Sequence, residues 1–219
     1  ELLEQGKGDI WDSGKIESDA SQWIAYQGKT LKRNAPYYWK VKIDTNKGTT
    51  DWSTPAFWTT GLFNEADWQG QWIGLDKAAP GDSETQWSRL AARYLRKEFA
   101  LKKEVKRATV HIAGMGLYEL FINGQRIGNQ VLAPAPTDYR KTILYNTYDV
   151  TSLLQTENAI GVTLGNGRFY TMRQNYKPYK IPTFGYPKLR LNLIVEYADG
   201  SKETIATNPT WKLTTDGPI

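Results

Sequence analysis

"SRLAARYLRKEFALKKEVKRATVHIAG", residues 88–114, decides what kind of fold this chain adopts. Ala, Leu, Arg, Lys and Glu are strong helix formers, so propensity alone predicts a helix over 88–104. The pattern argues otherwise. No Ser, Asp or Asn cap leads into a clean apolar spacing of three to four, and "RATVHIAG" is extended. Beyond it lie strand-like runs at 117–122, 142–148, 159–164, 188–197 and 202–206, with another near Trp211. A long helix has little room in such a segment, so 92–101 is read as a strand.

Turn chemistry supports an all-β reading. "GLYELFINGQRIGNQ", 116–130, is two extended runs hinged on Asn123-Gly124. A two-residue Asn-Gly turn takes φ > 0 at both positions and matches the twist of its strands. Tyr118, Leu120 and Ile122 then share one face, with Leu117, Glu119 and Phe121 on the other. Asp199-Gly200 supplies a second hairpin turn. In the first sixty residues, "DIWDSGKI" (9–16), "WIAYQGKTL" (23–31), "YYWKVKI" (37–43) and "DWSTPAFWTTG" (51–61) read as strand-like runs between turn residues. Short strands at that spacing predict an antiparallel sandwich. The run "LFNEADWQGQWIGLDKAAPGDSE", 62–84, changes character. It holds Trp68 and Trp72 and then a Pro-Gly-Asp-Ser loop. The expected organisation is a first β domain at 1–62, a Trp-rich ordered connector at 63–84 and a second β-sandwich at 85–219.

Composition bounds the function classes. The 219 residues are 40% hydrophobic and 23% charged, enough to bury a core and unlike a disordered chain. No apolar run approaches the ~18 residues of a membrane helix. The start, "ELLEQGKGDIW", has no signal-like apolar segment and reads as the interior of a longer chain. Zero Cys excludes disulfides and thiol nucleophiles. The net charge is +5, but in the densest basic stretch, 96–107, Glu98 and Glu104 interrupt the Lys and Arg residues. That reads as a solvated surface, so neither nucleic acid nor membrane is an expected partner. The single imidazole, His111, sits opposite Val110 and Ile112 on a strand and reads as structural or solvent-facing rather than as a triad base. "GNGRFY" lacks the Lys-Ser/Thr of a phosphate loop.

Together, "GLYELFING", "TDYRKTILYNTYDVT" and "LGNGRFY" resemble the N-terminal β-sandwich region of bacterial α-L-rhamnosidases, glycoside hydrolase family 78. Upstream, "WDSGKIES", "YYWKVKIDTNKG", "DWSTPAFWTTGLF" and "DWQGQWIG" resemble the fibronectin type III-like segment that precedes it. The resemblance implies an all-β chain: a partial fibronectin type III-like sandwich without its opening strands, then a jelly-roll, galactose-binding-like β-sandwich. It places the catalytic carboxylates in a C-terminal (α/α)₆ barrel beyond residue 219, so no catalytic residue is expected here. It implies a periplasmic or extracellular location, a rhamnose-containing glycan and the C-terminal catalytic domain of the same chain as partners, and leaves calcium open as a cofactor. A calcium ion needs about six to eight oxygen ligands. No EF-hand loop is present, and no ligand set is matched residue by residue. An autonomous carbohydrate-binding module is the alternative reading.

Candidate sugar contacts come from the aromatics. Sugars present apolar C–H faces ringed by hydroxyls, which an aromatic platform with polar neighbours recognises. The segment 164–186 joins Asn166, Arg168 and Tyr170 with Arg173, Gln174, Asn175, Tyr176, Tyr179 and Tyr186 on a long loop, which binds a ligand or packs on the catalytic domain. Asp138, Tyr139 and Arg140 follow a strand end in the same way and are expected beside Asn166, Arg168 and Tyr170, with Asp138 also suited to cap a turn.

Overall fold

Strands make up nearly all the regular structure in the computed structural model, which describes residues 2–20, 22–77, 90–170 and 184–217. The chain divides into two units, Glu1–Phe63 and Asn64–Ile219. In the first, β1 (Pro36–Trp39) pairs antiparallel with β4 (Ala56–Thr59), and β2 (Asp44–Thr45) pairs with β3 (Gly48–Thr49). Cross-strand aromatics pair on both faces of the β1–β4 ribbon. Tyr37 stacks on Trp58 at 5.2 Å, and Tyr38 lies 6.0 Å from Phe57.

The run 37–43 is not one strand. Past Trp39 the hydroxyls of Ser53 and Thr50 accept from the backbone N–H groups of Val41 and Ile43, at 3.1 Å each. Side chains there take over acceptor positions that a ladder would fill with carbonyls. The runs 9–16 and 23–31 carry no strand; Lys29 N–H donates to the carbonyl of Ile10 at 3.0 Å, and the Lys29 ammonium donates to Asp9 O at 2.6 Å.

Among the described residues the second unit holds two five-stranded sheets. In one, β10 (Tyr145–Asp149), β7 (Val105–Met115), β12 (Lys188–Tyr197) and β13 (Lys202–Ala206) lie in that order, and β5 (Ile73–Gly74) pairs with the start of β12. In the other the order is β14 (Lys212–Thr214), β6 (Arg93–Ala100), β11 (Glu157–Gly165), β8 (Leu117–Ile122) and β9 (Gln125–Ile127). The segment with the strongest helix propensity is therefore strand β6, paired along its length with β11. Tertiary pairing overrides local propensity there.

Alternation builds the core. Tyr118, Leu120 and Ile122 of β8 and Ile160, Val162 and Leu164 of β11 face Val110 and Ile112 of β7 and Leu189, Leu191, Leu193 and Val195 of β12 in one apolar cluster. Asn123 and Gly124 both have positive φ, 51° and 81°, as the tight hairpin requires. The Asn123 amide also ties the turn down, donating to Leu153 O at 2.9 Å and accepting from Ala159 N–H at 2.8 Å.

The middle of β7 and β12 does not alternate, because it is buried on both faces. His111, Thr109 and Asn192 lie opposite the core residues and are still buried. The Trp-rich stretch covers this outer face as a strap. Gly70 N–H donates to Asn192 Oδ1 at 2.8 Å, Asn192 Nδ2 donates to Asp67 O at 3.2 Å, and Thr207 Oγ1 donates to Gln71 O at 2.7 Å. A Cβ on Gly70 would lie 2.5 Å from Leu191 O, so the approach needs glycine. Among the described residues no helix is long and apolar enough to cross a membrane.

Candidate functional site

The segment 138–141 is a turn rather than the start of a strand, which is why β10 begins at Tyr145 and not at 142. Lys141 N–H donates to Asp138 O at 2.8 Å, and Thr142 N–H donates to the same carbonyl at 3.0 Å. The Asp138 carboxylate accepts from Arg140 Nε at 3.0 Å and from Arg140 N–H at 3.3 Å. The hydrogen bond from the guanidinium holds Asp138 below the ordinary carboxylate range.

Tyr139 turns inward from this turn. Its ring meets Phe169 edge-on at 5.2 Å and Phe184 at 5.4 Å, and Phe169 stacks on Phe184 at 6.0 Å. Burial pushes the Tyr139 phenol up, against the opposing charge of Arg168. So the structure brings 138–140 and 168–169 together, through Tyr139. Tyr170 is placed otherwise and stacks on Tyr186 at 5.6 Å. Asn166 donates through Nδ2 to Leu90 O at 3.3 Å, bracing the loop. Arg168 is exposed. Arg173, Gln174, Asn175, Tyr176 and Tyr179 lie outside the described residues.

On the other side of Tyr139 a groove of about 280 Å³ opens between the strap and the outer face of the β12 sheet. Trp68, Trp72, Tyr139, Tyr145, Arg140 and Arg190 line it, with Glu65, Lys141 and Thr142. Arg190 is its centre. The guanidinium lies 5.2 Å from the Trp68 ring and 6.0 Å from that of Trp72. Its Nε donates to Gly70 O at 2.6 Å, and Nη1 pairs with the carboxylate of Glu65. Tyr145 meets Trp68 edge-on at 5.4 Å and His111 at 5.9 Å. The sequence marks Trp68 and Trp72 only as part of an ordered connector, and nothing in it points to Arg190 or Tyr145 as lining residues. Alternation along β12 points Leu189 and Leu191 inward and Arg190 outward, but it cannot show that the strap lies over it.

Among the described residues no group of three or more His, Cys, Asp or Glu could hold a metal ion. Asp138, Asp149 and Asp199 are each engaged locally, with Arg140, Thr151, and Lys103 and Ser201 respectively. These residues do not converge as a calcium site, and none is assigned.

A family model described as the alpha-L-rhamnosidase N-terminal domain matches residues 103–219, and one described as the Rha78A-like, N-terminal immunoglobulin domain matches residues 1–64. An alpha-L-rhamnosidase of Formosa agariphila is 37% identical over 99% of this chain and 25% of its own length. The structure of alpha-L-rhamnosidase from Dictyoglumus thermophilum superposes with a TM-score of 0.83 at 39% identity, covering 97% of this chain and 24% of that one. That of native alpha-L-rhamnosidase from Aspergillus terreus gives 0.82 at 32% identity, over 91% and 23%. The chain thus spans about a quarter of the length of the relatives it matches.

Proposed function

This chain belongs to the α-L-rhamnosidase N-terminal domain family, and from that premise we propose that it is the non-catalytic front part of a longer enzyme that hydrolyses terminal α-L-rhamnosyl bonds with inversion. Its role is to support the C-terminal catalytic domain and to contact rhamnose-containing glycans through its rim segments. The observation that carries the reading is the match to an N-terminal domain model, by a chain a quarter as long as relatives named for the whole activity. The groove chemistry supports it. Inverting hydrolysis needs two carboxylates about 6.5–9.5 Å apart, one protonated and one ionised. Among the described residues lining the groove, Glu65 is the one carboxylate, and Arg190 holds it as an ion pair.

The rim segments supply the proposed glycan contact: Asp138, Tyr139 and Arg140 on one loop, and Asn166, Arg168 and Tyr170 on the other. Arg168 offers a planar donor fork and Tyr170 a ring with a hydroxyl, while Tyr139, its hydroxyl buried, ties the two segments together through Phe169. A fusion tests the support role. The matching quarter of the Dictyoglumus thermophilum enzyme is deleted, or replaced by this chain, and the thermal inactivation of aryl α-L-rhamnoside turnover is followed. Deletion is expected to shorten the active half-life and replacement to restore it. A deleted enzyme as durable as the parent would overturn the reading. Titrating this chain with L-rhamnose, with and without calcium, tests the glycan contact separately. Binding by the isolated chain, together with no effect of deletion, would favour the autonomous binding module.

A further inference from the structure

The groove under the strap is organised beyond what support of a neighbouring domain requires. Its aromatic walls are held from behind: Trp68 by Tyr145, and Tyr145 by His111, which is fully buried. Arg190 is only 12% exposed in its side chain, yet its guanidinium lines the opening, fixed by Gly70 O, by Glu65 and by two indole faces. A cation and rings fixed in advance lose little entropy when a ligand arrives. Two further cations stand at the rim on the 138–141 turn, with the Arg140 and Lys141 side chains 73% and 82% exposed. Among the described residues the three cations stand with Glu65 and, paired to Arg140, Asp138, a balance of one positive charge.

We infer that this groove is a binding site for a carboxylate-bearing saccharide, a sugar unit of the uronate class. Its volume of about 280 Å³ lies just below the ~300–1,000 Å³ usual for drug-sized ligands and suits a single sugar ring. Trp68, Trp72 and Tyr145 offer the flat apolar surface that a pyranose C–H face stacks on. Lys141 offers its ammonium to the carboxylate, and Arg140, whose Nε and Nη2 already pair with Asp138, offers the guanidinium N–H groups that this pairing leaves. Arg190, already paired, orients the indoles and adds positive field. Thr142, also in the lining, supplies a hydroxyl for a ring substituent. The site does not depend on the domain-support role: a chain that supports a catalytic domain and binds no acidic sugar would fail the test below and keep that role.

The test is an NMR titration of the 219-residue chain, reading the indole N–H signals of Trp68 and Trp72, assigned with Trp68→Phe and Trp72→Phe. The probes are D-glucuronate and D-galacturonate, with D-glucose and L-rhamnose as neutral controls. Both uronates are expected to shift these two signals saturably, and the neutral sugars to bind at least about tenfold more weakly. The double variant Arg140→Glu/Lys141→Glu changes two exposed side chains, and a thermal melt checks that the fold survives loss of their pairing with Asp138. The variant should lower uronate affinity about tenfold or more without changing the thermal melt. The inference is overturned if the two indoles show no saturable shift, if glucose binds as well as glucuronate, or if the charge-reversed variant binds uronate as the parent does.

Discussion

Acidification should weaken the second unit through one residue. His111 lies in the middle of β7 with no exposed surface, its Nδ1 3.0 Å from Thr147 Oγ1 on β10 and its ring edge-on to Tyr145. Burial, aided by the charge of Arg107, lowers its pKa from 6.5 to about 4. Below pH 6.5 the unfolded chain takes up a proton on this imidazole, and the folded chain refuses it until about pH 4. Stability from the neutral ring is therefore complete above 6.5 and is lost as the pH falls through that window. The displacement, at 1.36 kcal/mol per unit, comes to about 3 kcal/mol, a large share of the ~5–15 kcal/mol that holds a domain together. The assay is a set of denaturant melts from neutrality to about pH 4, on the parent and on His111→Gln. The substitution costs stability at neutral pH, and that cost should shrink by about 3 kcal/mol on acidification, because glutamine does not titrate. Carboxylates titrate in both chains and cancel in the difference. His111 is the single histidine of the chain, so an imidazole NMR titration reads it without ambiguity. A pKa near 6.5, or a parent–variant difference that stays constant with pH, would refute the reasoning.

Three further substitutions probe packing. Phe169→Ala removes a buried ring from the Tyr139–Phe184 cluster and should cost about 3–5 kcal/mol in a denaturant melt, whereas Tyr170→Ala, on the partly exposed Tyr186, should cost less than about half of that. Equal losses would make Tyr170 a packing residue and remove it from the proposed glycan surface. Gly70→Ala drives a methyl group against Leu191 O and Thr207 Oγ1, at 2.5 and 2.6 Å from the new Cβ. The strap must lift, so hydrogen exchange at Gln71 N–H, now bonded to Thr207 O at 2.7 Å, should accelerate; unchanged protection there would contradict the strap geometry.

Where side-chain alternation and turn chemistry agreed, the fold was legible. The bounds read for β8, β12 and β13 coincide with the observed strands, because apolar alternation runs up to Asn123-Gly124 or Asp199-Gly200 at one end of each pair. β6 was legible only by elimination, since its residues favour a helix and its pairing with β11 lies some 60 residues away in the chain. The first unit was read as richer in strands than it is, because aromatic content mimics strand propensity while Ser53 and Thr50 hydroxyls take the ladder positions. Of the candidate site, only the grouping of segments 138–140 and 166–170 was expected from loop placement; the Tyr139–Phe169 contact that joins them did not follow from it. The groove did not follow from it either. Arg190 and Trp68 are 122 residues apart, and nothing local to either one announces the cation–indole stack.

On the proposed reading, the chemistry of rhamnoside cleavage resides outside these residues. The measurement that tests it most directly is turnover of an aryl α-L-rhamnoside by the purified 219-residue chain, followed across protein concentration. The account predicts release of the aryl group at the uncatalysed rate at every concentration, since Glu65 is already bound to Arg190 and the groove offers no second carboxylate among the described lining residues. A rate that rises in proportion to the amount of pure chain would contradict it.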